Sequence, residues 1–367
     1  MVIPYNHKSL IPAVKKILVV QLAGIGDLVM ATPTLRALRN LFPCAYIGLL
    51  VLSRSADLIK GLPYIDEVFA LDIRFTDIMS LFYKGAFLRV FKVLKELNRH
   101  RFDMLINLEE ISSFKGALKM ALLFWFIGSK YKVGRDTDGR GFFFNIKVEE
   151  KTQDKLHAVE ANLRVAKRLG AEIKDKGLEI PLSFKERKAI EDLLRDNNIS
   201  PQELLIGLNP GAFRPSRRWP KEYWIGLAER IIEEYKGKVI IIGEIIKQKD
   251  LDRLKQEIKN NILIADKLSL KGLSALIERL NLFITNDSGP MHIAVAVNTA
   301  LIAIFGPGDV DKFFPYTSPE RYILLRKPVD CLRPCERFSC RDLKCLRVIT
   351  PEDVMQAVKK MLNVRIH

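Results

Sequence analysis

The pattern of apolar positions in the first half of the chain predicts alternating strands and helices. Residues 15–22, KKILVVQL, form an apolar run typical of a strand that is buried on both faces of a parallel sheet. A glycine-containing turn follows, and residues 28–42 then carry helical periodicity. Further strands are predicted at residues 45–52, 66–71 and 102–108. Repeated strand–helix units of this kind predict a doubly wound parallel sheet.

The chain changes character at residues 171–203 and then resumes the same rhythm. This charged segment lacks a buried-strand pattern, so it is typical of a domain junction followed by a surface helix. Beyond it we predict strands at residues 204–211, 238–244, 282–286 and 300–307, and helices at residues 221–235, 269–280 and 350–362. The whole chain is therefore predicted to be an α/β protein with two Rossmann-like domains, and a ligand is expected between them at the carboxyl ends of the strands.

Composition and charge narrow the range of partners. The 367 residues suffice for two domains, and 48% hydrophobic with 28% charged residues is a normal balance for a soluble chain. The net charge of +16 favours anionic partners, although a lysine-rich surface that serves only solubility is the alternative interpretation. Basic residues are spread along the chain without a nucleic-acid-binding motif, so we expect no nucleic-acid partner. Lacking a signal-peptide pattern or a membrane-spanning apolar run, the sequence predicts a cytoplasmic protein.

Four of the five cysteines lie near the C-terminal end, at Cys331, Cys335, Cys340 and Cys345. In a cytoplasmic protein such a group is more often a metal site or a set of reduced thiols than a disulfide framework. The C-x3-C-x4-C-x4-C spacing does not match a standard zinc knuckle closely. A structural zinc ion and unligated thiols are both kept as interpretations.

The first polar motif is QLAGIGDLVMATP, residues 21–33, at the end of the first predicted strand. Gly24 and Gly26 permit a tight turn into the following helix, but a dinucleotide-binding fingerprint would have a third glycine where Val29 stands. Asp27 is either an N-cap of that helix or a general base at the ligand-facing edge of the sheet. The pattern alone does not decide between these two roles.

The second motif, LNPGAFRPSRRWP at residues 208–220, places three arginines after a strand that ends in a glycine turn. These are Arg214, Arg217 and Arg218, and Gly211 provides the turn. A guanidinium group offers a rigid fork of donors suited to phosphate oxygens. The motif therefore predicts an anion site, with a solvated basic loop as the alternative.

The third motif, TNDSGPMH at residues 285–292, holds the three residue types of a serine hydrolase triad. A triad is disfavoured because Asp287 and Ser288 are adjacent, and because the context N-D-S-G-P is unlike the nucleophile elbow G-x-S-x-G. Ser288 is instead expected to cap a helix that starts with Pro290 in its first turn. The N–H groups at such a helix start form a ready phosphate site.

In this order the three motifs resemble those of glycosyltransferase family 9, the lipopolysaccharide heptosyltransferases. The similarity covers most of the chain and includes the opening strand, loop and helix at residues 17–43, the arginine loop, and residues 157–170 and 335–354. Its most specific part is D-S-G-P-M-H followed by a strand and F-G-P, within residues 285–307.

The resemblance implies the GT-B architecture, in which two Rossmann-like domains face each other across a cleft. It implies an acceptor-binding domain at residues 1–178 and a nucleotide-sugar donor domain at residues 179–349. The C-terminal helix, residues 350–367, is expected to pack back on the N-terminal domain.

The resemblance also implies an inverting transfer of heptose from ADP-heptose that requires no metal or other cofactor. Asp27 would be the general base. Arg217 stands where members often have lysine and would balance charge on the pyrophosphate. Glu244 would hold the ribose or base of the nucleotide, and Asp287, Ser288, Gly289 and His292 would form the loop for the diphosphate and donor sugar. The donor-binding or phosphate-binding set is expected to comprise Gly24, Gly26, Gly211, Arg214, Arg217, Arg218, Glu244, Asp287, Ser288, Gly289 and His292.

The expected acceptor is a lipid-linked phosphorylated saccharide of the inner core of lipopolysaccharide. Residues 73–97 and 114–126 mix aromatic side chains with lysines, and they are expected either to touch the inner membrane or to be ordinary core helices with solvated lysines. Alternative functions are a transferase, epimerase or hydrolase of the same fold that uses another nucleotide sugar, and a non-catalytic nucleotide-sugar-binding protein.

Overall fold

The computed structural model describes residues 14–72, 86–243, 262–265 and 267–366. The chain divides into two compact units, Met1–Gly177 and Leu178–His367. This division falls inside the charged segment in which the sequence predicts a domain junction.

The first unit contains a six-stranded sheet in which every pairing is parallel. Its strands are β1 (Lys16–Gln21), β2 (Tyr46–Leu52), β3 (Glu67–Leu71), β4 (Met104–Asn107), β5 (Tyr131–Thr137) and β6 (Ile146–Glu150). The order β3-β2-β1-β4-β5-β6 makes β1 central, and its side chains from Ile17 to Val20 are fully buried. A central parallel strand is covered on both faces, which explains the uninterrupted apolar run.

The helices of this unit lie between its strands or after the last of them. They are α1 (Ile25–Met30), α2 (Thr32–Leu41), α3 (Ser53–Ile59), α4 (Ala86–His100), α5 (Phe114–Ile127) and α6 (Ala158–Arg168). The single helix predicted at residues 28–42 is wrong, because two helices meet at Ala31 and the first of them already begins at Ile25. Asp27 consequently lies within the first turn of α1, and Gly24 occupies the N-cap position that the sequence offered to Asp27.

The second unit repeats the same architecture. Its strands are β7 (Leu205–Asn209), β8 (Lys238–Ile242), β9 (Ile262–Ala265), β10 (Leu282–Asn286), β11 (Leu301–Ile304) and β12 (Tyr322–Leu325). Its helices are α7 (Phe184–Asp196), α8 (Lys221–Tyr235), α9 (Leu270–Arg279), α10 (Gly289–Ala296), α11 (Val310–Phe313), α12 (Lys344–Arg347) and α13 (Pro351–Ile366). The parallel order β12-β11-β10-β7-β8-β9 has the same topology as the first sheet and is that of a Rossmann fold, so two Rossmann-like domains are confirmed.

The C-terminal helix α13 packs within the second unit. Its buried side chains Val354, Val358 and Leu362 join the core that contains Trp219 and Trp224. The indole N–H of Trp219 also donates to the carbonyl oxygen of Ile349, just before the helix, at 2.8 Å. The buried face of this helix is covered by the sheet and helix α8 of its own unit. The expectation that the helix also packs on the N-terminal domain stays a prediction.

Candidate active site

Asp27 lies at the carboxyl end of β1, the central strand of the first sheet. Its Oδ2 accepts the backbone N–H of Gly24 at 3.0 Å. A Cβ atom at position 24 would lie only 3.1 Å from that oxygen, so glycine suits the close approach. The turn therefore holds the carboxylate in one orientation at the ligand-binding edge of the sheet.

A second carboxyl group, which no motif singles out, lies beside the same turn. Glu109 follows β4, the strand next to β1, and its Oε1 accepts the backbone N–H of Leu22. Burial raises the pKa of Glu109 to about 7, with a further upward contribution from the negative charge of Asp27, although the hydrogen bond from Leu22 acts in the opposite direction. Glu109 thus changes its charge near neutral pH, unlike an ordinary glutamate.

Two buried asparagines shape the corresponding edge of the second sheet. Asn209 ends β7, and its Nδ2 donates to Thr285 Oγ1 at 2.8 Å and to Ser288 Oγ at 3.1 Å. Asn286 ends β10, and its Nδ2 donates to the carbonyl oxygen of Pro210 at 3.0 Å while its Oδ1 accepts the N–H of Trp219 at 3.0 Å. These amides hold the arginine loop against the strand ends.

The three arginines of that loop do not converge on one acceptor. Arg217 Nη1 lies 3.0 Å from Asp287 Oδ2, whereas Arg214 Nη1 lies 2.7 Å from Glu336 Oε2. Arg218 Nε donates to the carbonyl oxygen of Ala212 at 2.8 Å. The pair of Arg217 and Asp287 therefore joins the second and third motifs. Arg214 and Arg218 contact other groups, Glu336 and the carbonyl oxygen of Ala212.

Asp287 sits in a tight and almost completely buried position. Its side chain is 4% exposed, and a Cβ atom added to Gly308 would be 1.9 Å from its Oδ2. Gly308 follows strand β11 and lies in none of the predicted site motifs. Only a residue without a side chain fits beside the carboxylate in this arrangement.

Ser288 occupies the N-cap position of α10 but does not cap the helix with its hydroxyl. Ser288 Oγ donates instead to the carbonyl oxygen of Asn286 at 3.2 Å and accepts from Asn209. The expected serine cap is therefore wrong, because hydrogen bonds with Asn209 and with the carbonyl group of Asn286 hold the hydroxyl at the strand ends. Gly289 begins α10, and the buried His292 lies in its first half.

Two expectations concern residues away from these loops. Glu244 lies outside the described residues. A structural zinc site is not supported, since no group of three or more potential metal-ligand side chains comes together in the described part of the chain. Cys331 is exposed while Cys345 is buried, and burial raises the pKa of the Cys345 thiol, which favours its neutral form.

The loops supply two kinds of chemistry. The first unit presents a carboxylate that can accept a proton, with a second acid beside it. The second unit presents arginines and a helix start, which suit an anionic ligand.

Comparison with known proteins agrees with these features. The family model described as glycosyltransferase family 9 (heptosyltransferase) matches residues 90–340. A lipooligosaccharide heptosyltransferase 2 of Campylobacter jejuni is 27% identical over 349 residues, which cover 92% of this chain and 96% of that protein.

Solved structures of other proteins share the fold over most of the chain. A glycosyltransferase family 9 protein of Veillonella parvula has a TM-score of 0.76 at 24% identity, covering 95% of this chain and 97% of its own. The ADP-heptose lipopolysaccharide heptosyltransferase II of E. coli has a TM-score of 0.71 at 22% identity, covering 96% and 100%. With more than half of its residues matched by the family model, the chain belongs to glycosyltransferase family 9.

Proposed function

We propose that the protein transfers heptose from ADP-heptose to a phosphorylated, lipid-linked saccharide of the lipopolysaccharide inner core, with inversion at the anomeric carbon. Family membership and the names of the relatives support this donor and this acceptor class. The observation that carries the chemistry is the carboxylate of Asp27, fixed by the N–H of Gly24 at the carboxyl end of β1. The first unit would bind the acceptor and the second unit the donor.

In this proposal Asp27 is the general base. Its carboxylate takes the proton from the attacking acceptor hydroxyl, whose oxygen forms a bond to the anomeric carbon of heptose. The bond between that carbon and the diphosphate oxygen breaks on the opposite face, and ADP leaves with the bonding electron pair. One displacement of this kind inverts the configuration without a covalent enzyme intermediate.

The second unit would stabilise the departing diphosphate. Arg217 is already neutralised by Asp287, so that pair adds little net positive charge. Arg214 is a better source of charge, because its partner Glu336 is 79% exposed and such an exposed pair is worth about 1 kcal/mol or less. Arg214 can therefore turn to a diphosphate, while the N–H groups at the start of α10 add preorganised donors.

The remaining donor contacts follow the family pattern. Asn209 and Asn286 hold most of the donor loop by hydrogen bonds at the ends of β7 and β10. We therefore assign the following residues to this loop: Gly211, Arg218, Ser288, Gly289 and His292. Gly24 and Gly26 belong to the turn around Asp27 in the first unit.

Donor choice gives a direct test of the proposed function. Calorimetric titration with ADP-heptose, UDP-sugars and GDP-sugars should show at least about tenfold tighter binding of ADP-heptose, which corresponds to 1.4 kcal/mol. ADP alone should compete with it, because the proposed phosphate contacts are shared. Preference for another nucleotide would support a transferase of the same fold with a different donor, and tight binding without transfer would support the non-catalytic alternative.

The proposed lipid-linked acceptor requires access to a membrane surface, and helix α5 offers an apolar face for this. Phe114, Leu118, Leu122 and Trp125 recur at helical spacing and are 70%, 58%, 56% and 75% exposed. Such an exposed row is unusual for a helix that packs on a sheet, since its opposite side already supplies buried residues to the core. We call these four residues the apolar face of α5.

Helix α4 extends this surface and adds positive charge. Phe91 on α4 is 44% exposed, and its ring lies 6.4 Å from that of Phe126 on α5. Lys92, Lys95 and Lys115 are exposed on the same two helices. Although no helix in the described part of the chain is long and apolar enough to cross a membrane, aromatic side chains beside lysines suit the interface of an anionic bilayer.

The double variant Leu122→Ser, Trp125→Ser should bind vesicles that contain phosphatidylglycerol at least about tenfold more weakly than the wild type, because each large apolar side chain contributes roughly 1.5–3 kcal/mol when fully buried. Co-sedimentation measures this loss. Phe184→Ser is the matched control, since Phe184 is 78% exposed but lies on α7 of the second unit. Equal binding of the wild type and the double variant would show that the apolar face of α5 does not contact lipid.

A further inference from the structure

Glu109 is a largely buried carboxylic acid that takes no part in the proton transfer proposed for Asp27. It lies two residues after the end of β4, next to Leu108, whose backbone N–H donates to the carbonyl oxygen of Val20 on β1 at 3.2 Å. The buried side chain of Asn107 fixes the Glu109 backbone, because its Nδ2 donates to the Glu109 carbonyl oxygen at 2.8 Å. The position of this carboxyl group is thus set by two adjacent strands.

Both acids of this region accept hydrogen bonds from the same short connection. Glu109 accepts the N–H of Leu22, and Asp27 accepts the N–H of Gly24, two residues further along the chain. Both hydrogen bonds are made to the backbone between β1 and α1. A substitution at Glu109 therefore alters a direct contact of the connection that orients Asp27.

In the described part of the chain, no ion pair joins Glu109 to an arginine or a lysine. The nearby Arg135 on β5 lies 3.0 Å from Glu150 and 3.8 Å from Glu110. Asp27 is the charged group that acts on Glu109, and it disfavours the ionised form. Because electrostatic interaction is mutual, an ionised Glu109 also favours the uptake of a proton by Asp27.

The repulsion between the two carboxylates affects how strong a base Asp27 is. An isolated aspartate is a weak base at neutral pH, since its ordinary pKa is about 3.9. General-base catalysis is most effective when the proton affinity of the base matches the working pH. A second negative charge beside the base brings it closer to this condition.

We propose that Glu109 is a positioning residue for Asp27, which fixes the connection between β1 and α1 and, when ionised, makes Asp27 a stronger base towards the acceptor hydroxyl. The inference rests on the proposed role of Asp27. The pH dependence of transfer would then originate from the ionisation of Glu109 in the first unit.

The direction of this pH dependence follows from the chemistry of a carboxyl group. With its pKa raised to about 7, Glu109 is protonated and neutral below that pH and negatively charged above it. The rate constant of transfer at saturating donor and acceptor should therefore rise through about pH 7, by roughly tenfold. An ordinary glutamate would have completed its ionisation well below this range.

The variant Glu109→Gln separates charge from structure. Its amide oxygen can still accept the Leu22 N–H, but it carries no charge at any pH. We expect wild-type activity at about pH 6, a rate roughly tenfold below wild type at about pH 8, and no rise between them. Glu110→Gln is the matched control, because Glu110 is the adjacent carboxyl group and faces Arg135; it should keep the rise.

The outcomes distinguish this inference from the proposed function. If Asp27→Asn is inactive but Glu109→Gln keeps the wild-type pH profile, Asp27 is the base and the role of Glu109 is wrong. A wild-type profile that is flat across neutral pH overturns the role of Glu109 without any variant. Should Glu109→Gln fail to fold, Glu109→Asp retains the charge, and a rise in its profile would support the proposal while a flat profile would contradict it.

Discussion

Replacement of Asp27 by asparagine should lower the rate constant of transfer by roughly 100-fold or more, because a positioned general base contributes about 10²–10⁴-fold. The substitution preserves the size of the side chain, and the amide oxygen can still accept the N–H of Gly24 that Asp27 Oδ2 accepts at 3.0 Å. What it removes is the ability to take up a proton. Steady-state kinetics with ADP-heptose and a lipopolysaccharide core acceptor would measure the loss.

The affinity for ADP should stay unchanged in this variant, since the proposed diphosphate contacts belong to the second unit. Asp57→Asn is the control, because Asp57 is an exposed aspartate on α3 of the same unit. Transfer at the wild-type rate by Asp27→Asn would disprove the base, whereas a loss of ADP affinity would place Asp27 in donor binding.

The sequence predicts the central strands of each sheet well and, apart from the edge strand β3, the outer strands poorly. Strand β10 and all of β1 except Lys16 are buried, and both strands appear in the sequence as apolar runs that locate them. Strands β5 and β6 were missed because charged residues interrupt their apolar pattern; β6 is the edge strand and β5 lies next to it. These charges are paired, as in Arg135 with Glu150 at 3.0 Å and Lys147 with Asp136 at 2.9 Å, and a sequence does not reveal such partners.

The same distinction applies to the candidate site. Motifs identify Asp27, Arg217 and Asp287, which stand at strand ends in recognisable contexts. They do not show that Arg217 and Asp287 form a pair, because the two residues come from different loops. Glu109 was missed for a related reason: its special properties arise from burial beside β1, and its own segment, NLEEISS, contains no motif.

Ser288 shows how a local rule can fail at such a site. A serine before a glycine–proline helix start favours a side-chain cap. In the folded protein Asn209 from a neighbouring strand binds the hydroxyl, and this contact takes the place of the cap. The two asparagines were visible as polar residues at the ends of apolar strands, but their partners depend on which strands are adjacent.

Substitution of Gly308 by alanine should have the largest effect on stability that we expect from a single methyl group in this protein. The new Cβ would lie 1.9 Å from Asp287 Oδ2, far inside the contact distance. Asp287 would have to move, which would disturb its 3.0 Å ion pair with Arg217. Because an extra methyl group in a tightly packed site costs about 1–3 kcal/mol, the free energy of unfolding of the second unit should fall by roughly this amount.

Denaturant unfolding followed by tryptophan fluorescence can measure this change, since Trp219 and Trp224 are buried in the core of the second unit. Gly226→Ala is the matched control: no atom lies within 4 Å of its added Cβ, and Gly226 is inside α8. Alanine there should raise stability by about 0.5–1 kcal/mol. Equal stability of Gly308→Ala and wild type would contradict the arrangement around Asp287.

The affinity of Gly308→Ala for ADP then assigns the role of the ion pair. If Arg217 and Asp287 form part of the donor loop, ADP binding should weaken along with stability under conditions where the variant is still folded. If binding is unchanged while stability falls, the pair only joins two loops of the fold. The diphosphate would then depend on Arg214 and on the N–H groups at the start of α10.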